Sequence, residues 1–520
     1  MVVRVIIKKD TFRDSITLMK ISNQVSGIKG VSNAGVVMAT PLNKKLLKDV
    51  GFSEKEIEKT DQNDLVVAIE ADDQSTLDKA VKEAEELLSS KESSEKTRSN
   101  PRTLDSALEQ MKDANLVTIS VPGRFAKREA MKALEKGLNV FLFSSNVSLD
   151  DELELKRMAM DKNLLMMGPD CGTAIINGVV LGFGNKVRQG YVGLVSASGT
   201  GLQEVSTLLN AEGLGVSQAI GTGGNDLSEK VGGMMMIEGI RRLEQDKKTR
   251  VIIIISKPPN PKTTQRVLEM ATQCKKPVIV NFLGERVDLK KAPNCTSATT
   301  LEEAVRIASK LIGKKSATPI AAPNEEEMLQ TARSESERFS SIQKYVRGLF
   351  SGGTLCYESQ YILKPLVGEV YSNAPVNQKY KIQGDGPSKE HTCIDMGSSE
   401  FVEGRLHPII DFTLRKRRII EEAKNPQTAV ILLDVVLGYA AHPNPAGELV
   451  PLIIQAKNSA VEAGRFLSLV ASVVGTDKDP QDLQKQLVEL RKAGVVIMPS
   501  NAQAAKVAAL IALRGSTRRV

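Results

Sequence analysis

Two short segments place hydroxyl side chains and glycines where an apolar run gives way to a helical pattern. The first is Ser198-Gly199-Thr200-Gly201, which follows YVGLVSAS and precedes a stretch carrying Leu202, Val205, Leu208 and Leu209 on one face. The second is Ser351-Gly352-Gly353-Thr354, set between YVRGLF and LCYESQYIL. A helix that starts this way offers free backbone N–H groups, the positive end of its dipole and side-chain hydroxyls, and its glycines let an oxyanion come close. Both segments are therefore candidate phosphate sites, and two such starts can share one phosphate. A glycine-rich tight turn with no ligand is the competing reading of either motif. Thr200 with Gln203 further predicts a capping box. No GxxxxGK[ST] occurs in the chain, which argues against a P-loop for nucleoside triphosphates.

Other residues earn attention from their positions. Gly221, Gly223 and Gly224 follow the apolar run VSQAIG and are candidates for a second anion cradle, or for close packing of helix on strand. Ser120, Val121 and Pro122 end the run ANLVTISV and are candidates for a pocket lining. His407 and Arg405, within Gly404-Arg405-Leu406-His407-Pro408, pair an imidazole suited to proton transfer near neutrality with a carboxylate clamp, and are candidate catalytic groups beside Ser198 and Thr200. His391 and His442 stand in segments that read as exposed. Cys171, alone after an acid, reads as a small buried residue, and Asp434 within VILLDVVLG as a buried acid needing a partner. Five scattered cysteines without a CxxC pair and three histidines without HExxH spacing encode no metal centre, and none is expected.

These residues need elements to hold them. A chain of 520 residues exceeds one core, and its hydrophobic share of 41% suffices to build several. Residues 1–90 alternate short strands and helices as a small α/β sandwich, ferredoxin-like, followed by a polar linker at 91–102. From 103 to 185 and from 186 to 313, near-continuous apolar strands alternate with helices, the pattern of doubly wound parallel sheets of Rossmann and flavodoxin type. A second polar stretch, 314–341, reads as a linker in which EEEMLQTARSESERF forms an exposed helix. The sheet pattern returns over 342–515, interrupted by a long irregular segment at about 366–428. In such sheets ligands bind beyond the carboxyl ends of the strands, where all the segments named above fall. The net charge of +8 is spread among acidic residues, with no tryptophan and few aromatic residues, so nucleic acid is not the expected partner. No long apolar run or signal peptide occurs, and a soluble cytoplasmic protein without membrane contact is expected.

The segments DANLVTISVPGRFAKREAMKALEKGLNVFLFS, LLMMGPDCGTAI and YVGLVSASGTGLQEV resemble the α subunit of succinyl-CoA synthetase, and SGGTLCYE with the last sheet resembles the carboxyl-terminal domain of its β subunit. One chain carrying both halves behind a small amino-terminal domain resembles the FdrA family, on FRDSITLM, MGPDCGT, ISKPP, FSGGTL, GRLHP and VGTDKDPQ. The likeness implies a CoA-related site near Ser120 and a phosphate aimed at by two helices. It departs from the synthetase in lacking an ATP-grasp segment and a histidine after PVIVNFLG, where GERVDLKKAPNC stands instead of the phosphorylated loop. What the resemblance implies is a carbamoyl- or acyltransferase subunit that uses phosphate as substrate, converting oxalurate and phosphate to oxamate and carbamoyl phosphate in ureide and purine breakdown. An NDP-forming acyl-CoA synthetase and a non-catalytic scaffold are the alternatives. CoA is a possible ligand, and an oligomer with additional subunits is expected.

Overall fold

The computed structural model describes residues 1–11, 13, 15–49, 51–52, 55–89, 101–289, 292–313, 323–402 and 405–516. Most of the first linker, the start of the second (314–322) and Gly404 lie outside the described residues. Two units are distinguished, Met1–Ala107 and Leu108–Val520.

In the first unit Leu65–Ala71 is the central strand, antiparallel to Val2–Lys8 and to Val31–Met38 on either side. Alternation along that strand decides the packing, because successive side chains leave opposite faces. Leu65, Val67 and Ile69 meet the helices Ser15–Ser26 and Gln74–Ser89 through Leu18, Ile21, Val25, Leu77 and Ala80. Val66 and Ala68 meet Leu47, Phe52 and Ile57 on the other face. The result is the small α/β sandwich the pattern predicts.

The second unit holds three sheets. Leu116–Ile119, Asn139–Leu142 and Met166–Met167 form a small parallel sheet. A seven-stranded sheet runs Cys295–Ala298, Val278–Phe282, Val251–Ser256, Gln189–Ser196 and Val216–Gly221, all parallel, and then closes with the antiparallel hairpin Thr173–Ile176 and Val179–Gly182. The hairpin departs from the all-parallel expectation, and its signal was Asn177-Gly178 between apolar runs. The third sheet is parallel throughout, in the order Tyr371–Ser372, Thr392–Asp395, Tyr345–Phe350, Thr428–Val436, Ser468–Val474 and Val496–Met498.

Two expectations about loops are corrected. The segment 366–428 is not a long irregular loop: it adds two short strands and the helix Thr413–Lys424 to the third sheet. The second linker also contains a packed helix, Glu325–Ser336, capped by Asn324 and Glu327. Met328 and Ala332, one turn apart, are buried in the core shared by the two large sheets, so this helix is not an exposed one.

That shared core is bolted by cross-capping. Glu204, on the helix Gly199–Ala211, accepts the amide of Asn501 (3.0 Å), which opens the helix Asn501–Ala512 of the other sheet. Reciprocally, Glu358 on the helix Gly353–Val367 accepts the amide of Leu301 (2.8 Å), the first residue of Leu301–Ile312, and the side-chain amide of Asn501 (2.8 Å). At the sheet ends Asp479 accepts from Asn185 and from the Lys186 amide, both at 2.7 Å, which gives the VGTDKDPQ segment a clamping role. Among the described residues no helix is long and apolar enough to cross a membrane.

Burial raises the carboxyl of Glu204 to about 8 and that of Glu358 to about 7. A carboxyl raised on folding contributes stability that is complete below its unfolded value and is lost as pH rises through its folded value. The buried histidines, lowered to about 4 for His391 and His407, act in the opposite sense and only below about pH 6.5. Between pH 7 and 8 the melting temperature of the second unit in the full chain therefore falls with pH, and Glu204→Gln flattens that slope in a calorimetric scan.

Candidate functional site

The helices Gly199–Ala211 and Gly353–Val367 meet start to start. The hydroxyls of Ser198 and Thr354 hydrogen-bond directly to each other across the joint. A Cβ on Gly352 would lie 2.8 Å from the Thr200 hydroxyl oxygen, so glycine is what permits this approach. The cap of the first helix is Ser198, which accepts the Gly201 amide at 3.0 Å, and not Thr200. The expected capping box fails because the helix starts at Gly199, which places Thr200 inside the first turn, and Gln203 turns instead to Asn185 (3.3 Å).

The second helix start has no side-chain cap at Gly352. Its preceding turn is held by Asp434, which accepts the amides of Ser351 and Gly352 (2.8 Å each) and the Ser351 hydroxyl (2.9 Å). Arg415, itself buried, pairs with Asp434 at 2.7 Å and explains an acid inside an apolar strand. Beyond these bonds the amides of Gly199, Thr200, Gly353 and Thr354 donate to no group among the described residues. Thr173 adds a hydroxyl that is 2% exposed and unpartnered, 3.5 Å from where a Cβ on Gly199 would stand. The joint thus concentrates unpaired donors on a small volume, which is what an oxyanion requires.

Two groups that sequence reasoning did not select stand here as well. Asp395 ends the strand Thr392–Asp395 and lies so close to Gly353 that any Cβ there would overlap its carboxylate. Lys257, after Val251–Ser256, sits with its ammonium 5.7 Å above the Tyr357 ring and within electrostatic reach of Asp395. An isolated acid at the end of a four-residue strand carries no motif, whereas ISKPP at a strand end was a usable signal for Lys257.

His407 lies by the same joint: its Nε2 is 3.0 Å from where a Cβ on Gly397 would be, a point also 3.4 Å from Asp395 Oδ1. Its Nδ1 accepts the Ile409 amide (3.3 Å), its ring is 5.3 Å from Phe183, and burial holds it neutral, lowered to about 4. Arg405 is half-buried and makes no ion pair among the described residues. His391 and His442 are not exposed as expected. His391 accepts the Val346 amide at the far end of the sheet, and His442 the Asn444 amide at 3.1 Å.

Gly221 and Gly223 are packed against the backbone of Thr173 and Pro169, a packing reason for both glycines, while Gly224 has open space beside it. Cys171 is buried with its thiol pushed up to about 12, as a small core residue would be. Ser120 and Pro122 are exposed and Val121 half-buried at the start of the helix Gly123–Glu135, which has no side-chain cap. No group of three or more His, Cys, Asp or Glu able to hold a metal occurs among the described residues.

Comparison with known proteins shows what the chain is similar to. YahF of Escherichia coli (strain K12), itself uncharacterised, is 43% identical over 501 residues, 96% of this chain and 97% of that one. The chain belongs to the YahF family. Family models match as a CoA binding domain over residues 179–284, a CoA-ligase domain over 349–511, and the AllF heavy metal-associated domain over 1–103. Residues 1–103 contain neither cysteine nor histidine. The first match begins after most of the segment 103–185 in which CoA-binding character was expected. The α subunit 1 of the ADP-forming succinate–CoA ligase of Archaeoglobus fulgidus is 27% identical over 176 residues, and the chain spans about 59% of that subunit's length. A solved acetyl-coenzyme A synthetase 1 of Ca. Korarchaeum cryptofilum, in complex with phosphate and ADP, aligns over 76% of this chain and 82% of its own at 18% identity and a TM-score of 0.29. The helix start at Ser198 falls within the CoA binding match and that at Gly352 within the CoA-ligase match, on one chain.

The Thr200 hydroxyl neither caps its helix nor hydrogen-bonds among the described residues, so Thr200→Ala changes stability by less than about 0.5 kcal/mol. Ser198→Ala removes a cap and costs about 1 kcal/mol. In calorimetric titration with inorganic phosphate, Thr200→Ala is expected to weaken binding at least tenfold; unchanged affinity returns the turn to a purely structural role.

Proposed function

We propose that the chain carries out the acyl half of a CoA-ligase cycle, exchanging an acyl thioester of CoA and inorganic phosphate for an acyl phosphate and free CoA. The observation that carries this reading is the start-to-start meeting of two helices with unpaired amides and three hydroxyls, Ser198, Thr200 and Thr354. In the reaction a phosphate oxygen attacks the acyl carbon, the carbon–sulfur bond breaks, and the thiolate sulfur takes the proton that the phosphate gives up. The donors at the joint stabilise the charge that develops on the carbonyl oxygen, a contribution typically worth 10²–10³-fold in rate per donor.

In this reading CoA lies at the strand ends of the small sheet. The Ser144 hydroxyl there is buried without a partner, and the neighbouring turn at Ser120–Pro122 opens a helix start. His407, held neutral by burial, spends its Nδ1 lone pair on the Ile409 amide, so its Nε2 carries the proton and donates at this site. The segment after Phe282 has Glu285 and Arg286 in place of a phosphorylated histidine, and Arg286 pairs with Glu303 at 3.7 Å. Nucleotide chemistry therefore belongs, in this reading, to separate subunits.

The test uses arsenate, whose acyl ester hydrolyses and draws the exchange forward. Purified chain with a short dicarboxylic acyl-CoA is expected to release free thiol only when arsenate or phosphate is present, and Ser198→Ala with Thr200→Ala to lower that rate at least 100-fold. Absence of anion-dependent thiol release across a panel of acyl-CoA esters, with formation of carbamoyl phosphate from oxalurate and phosphate instead, replaces this reading by carbamoyl transfer.

A further inference from the structure

We propose that Asp395 makes the joint selective for an oxyanion that carries its own proton, so that inorganic phosphate is admitted and sulfate is refused at neutral pH. The inference rests on the anion site argued above and assigns its specificity to one side chain.

The geometry is that of a carboxyl group placed where the ligand's charge must go. Asp395 is 5% exposed and its carboxylate covers the Cα of Gly353, the first residue of the uncapped helix. One oxygen, Oδ1, accepts the Gly397 amide at 3.0 Å, and the main-chain carbonyl of Asp395 is fixed by Asn373 (2.9 Å) and Ser398 (3.0 Å). No cation lies within ion-pair distance of its carboxylate among the described residues. The charged and titratable groups facing it are Lys257 from the neighbouring sheet, Asp434 with its Arg415 partner, His407 across Gly397, and Cys356 on the helix itself. Burial is the largest influence and raises the carboxyl above its ordinary value; Lys257 and the Gly397 amide oppose it, and Asp434 adds to it.

An anion bound by the Gly353 and Thr354 amides is therefore beside a second negative group in a poorly hydrated place. Two like charges so close repel strongly, and a single proton held between them converts repulsion into a hydrogen bond. Monohydrogen phosphate supplies that proton from its own P–OH group, donating to an ionised Asp395. Sulfate has none to give above pH 3 or so, and binds only after Asp395 takes a proton from solvent. Refusal of the wrong anion by an unpaired charge is specificity by repulsion.

The test is calorimetric titration of the full chain with sodium sulfate and sodium phosphate from pH 6 to 9, each in two buffers of different ionisation enthalpy. Phosphate affinity is expected to hold steady between pH 7.5 and 9. Sulfate affinity is expected to fall about tenfold per pH unit above the Asp395 titration, with close to one proton taken up per sulfate bound. Asp395→Asn, whose amide donates to either anion, is expected to bring the two affinities within about threefold and to abolish the uptake. Sulfate bound without proton uptake by the unaltered chain overturns the inference with no variant needed, and so does selectivity that survives Asp395→Asn in a folded protein. If the unaltered chain binds neither anion, the anion site fails and the inference with it; if it binds both alike, only the inference fails.

Discussion

Two helix N-termini pointing at each other are the constraint around which the second unit is arranged. Each carries roughly half a positive charge on unsatisfied amides, and like ends brought together repel. Buried carboxylates offset that repulsion from behind: Asp434 holds the turn before the second helix, and Asp395 lies over its first residue. Removing both acids would leave two partial charges facing across a hydroxyl pair. The same arrangement makes the joint receptive to an oxyanion, so the stability of the meeting and its chemistry have one electrostatic origin.

The cross-caps extend this logic away from the joint. Glu204 and Glu358 each stand four residues, about one turn, after the site threonine of their own helix, Thr200 and Thr354, and each closes the start of a helix belonging to the other sheet. Shifting either site helix along its axis would uncap its partner. The segments Gly184–Lys186 and Thr476–Gln481 add a tie at the carboxyl ends of the third sheet's strands, where Asp479 accepts from the Asn185 side chain and the Lys186 amide. The two helix starts are thus registered against one another by buried hydrogen bonds rather than by loops.

Much of this was legible because parallel strands buried on both faces write themselves as apolar runs, and VIIIIS or AVILLDVV admits little else. The SGTG and SGGT starts were legible for the same reason, each sitting where such a run stops. The strand Thr392–Asp395 was not, since TCID is four residues long and mixes a thiol with an acid inside a polar segment. Asp395 went unnoticed with it. Glu204 and Glu358 read as ordinary helix acids because their partners, the amides of Asn501 and Leu301, are brought to them only by tertiary packing. His407 was found through its unusual segment, yet its burial, which fixes it as neutral, is a property of the folded chain alone.

The central claim is that the two helix starts hold one phosphate, and a crystal structure obtained in phosphate tests it most directly. The account predicts a tetrahedral anion with oxygens within about 3 Å of the amides of Thr200 and Thr354, and the hydroxyls of Ser198 and Thr354 turned from each other toward it. An anion bound elsewhere, with those two hydroxyls still paired and no density at the joint, would contradict it.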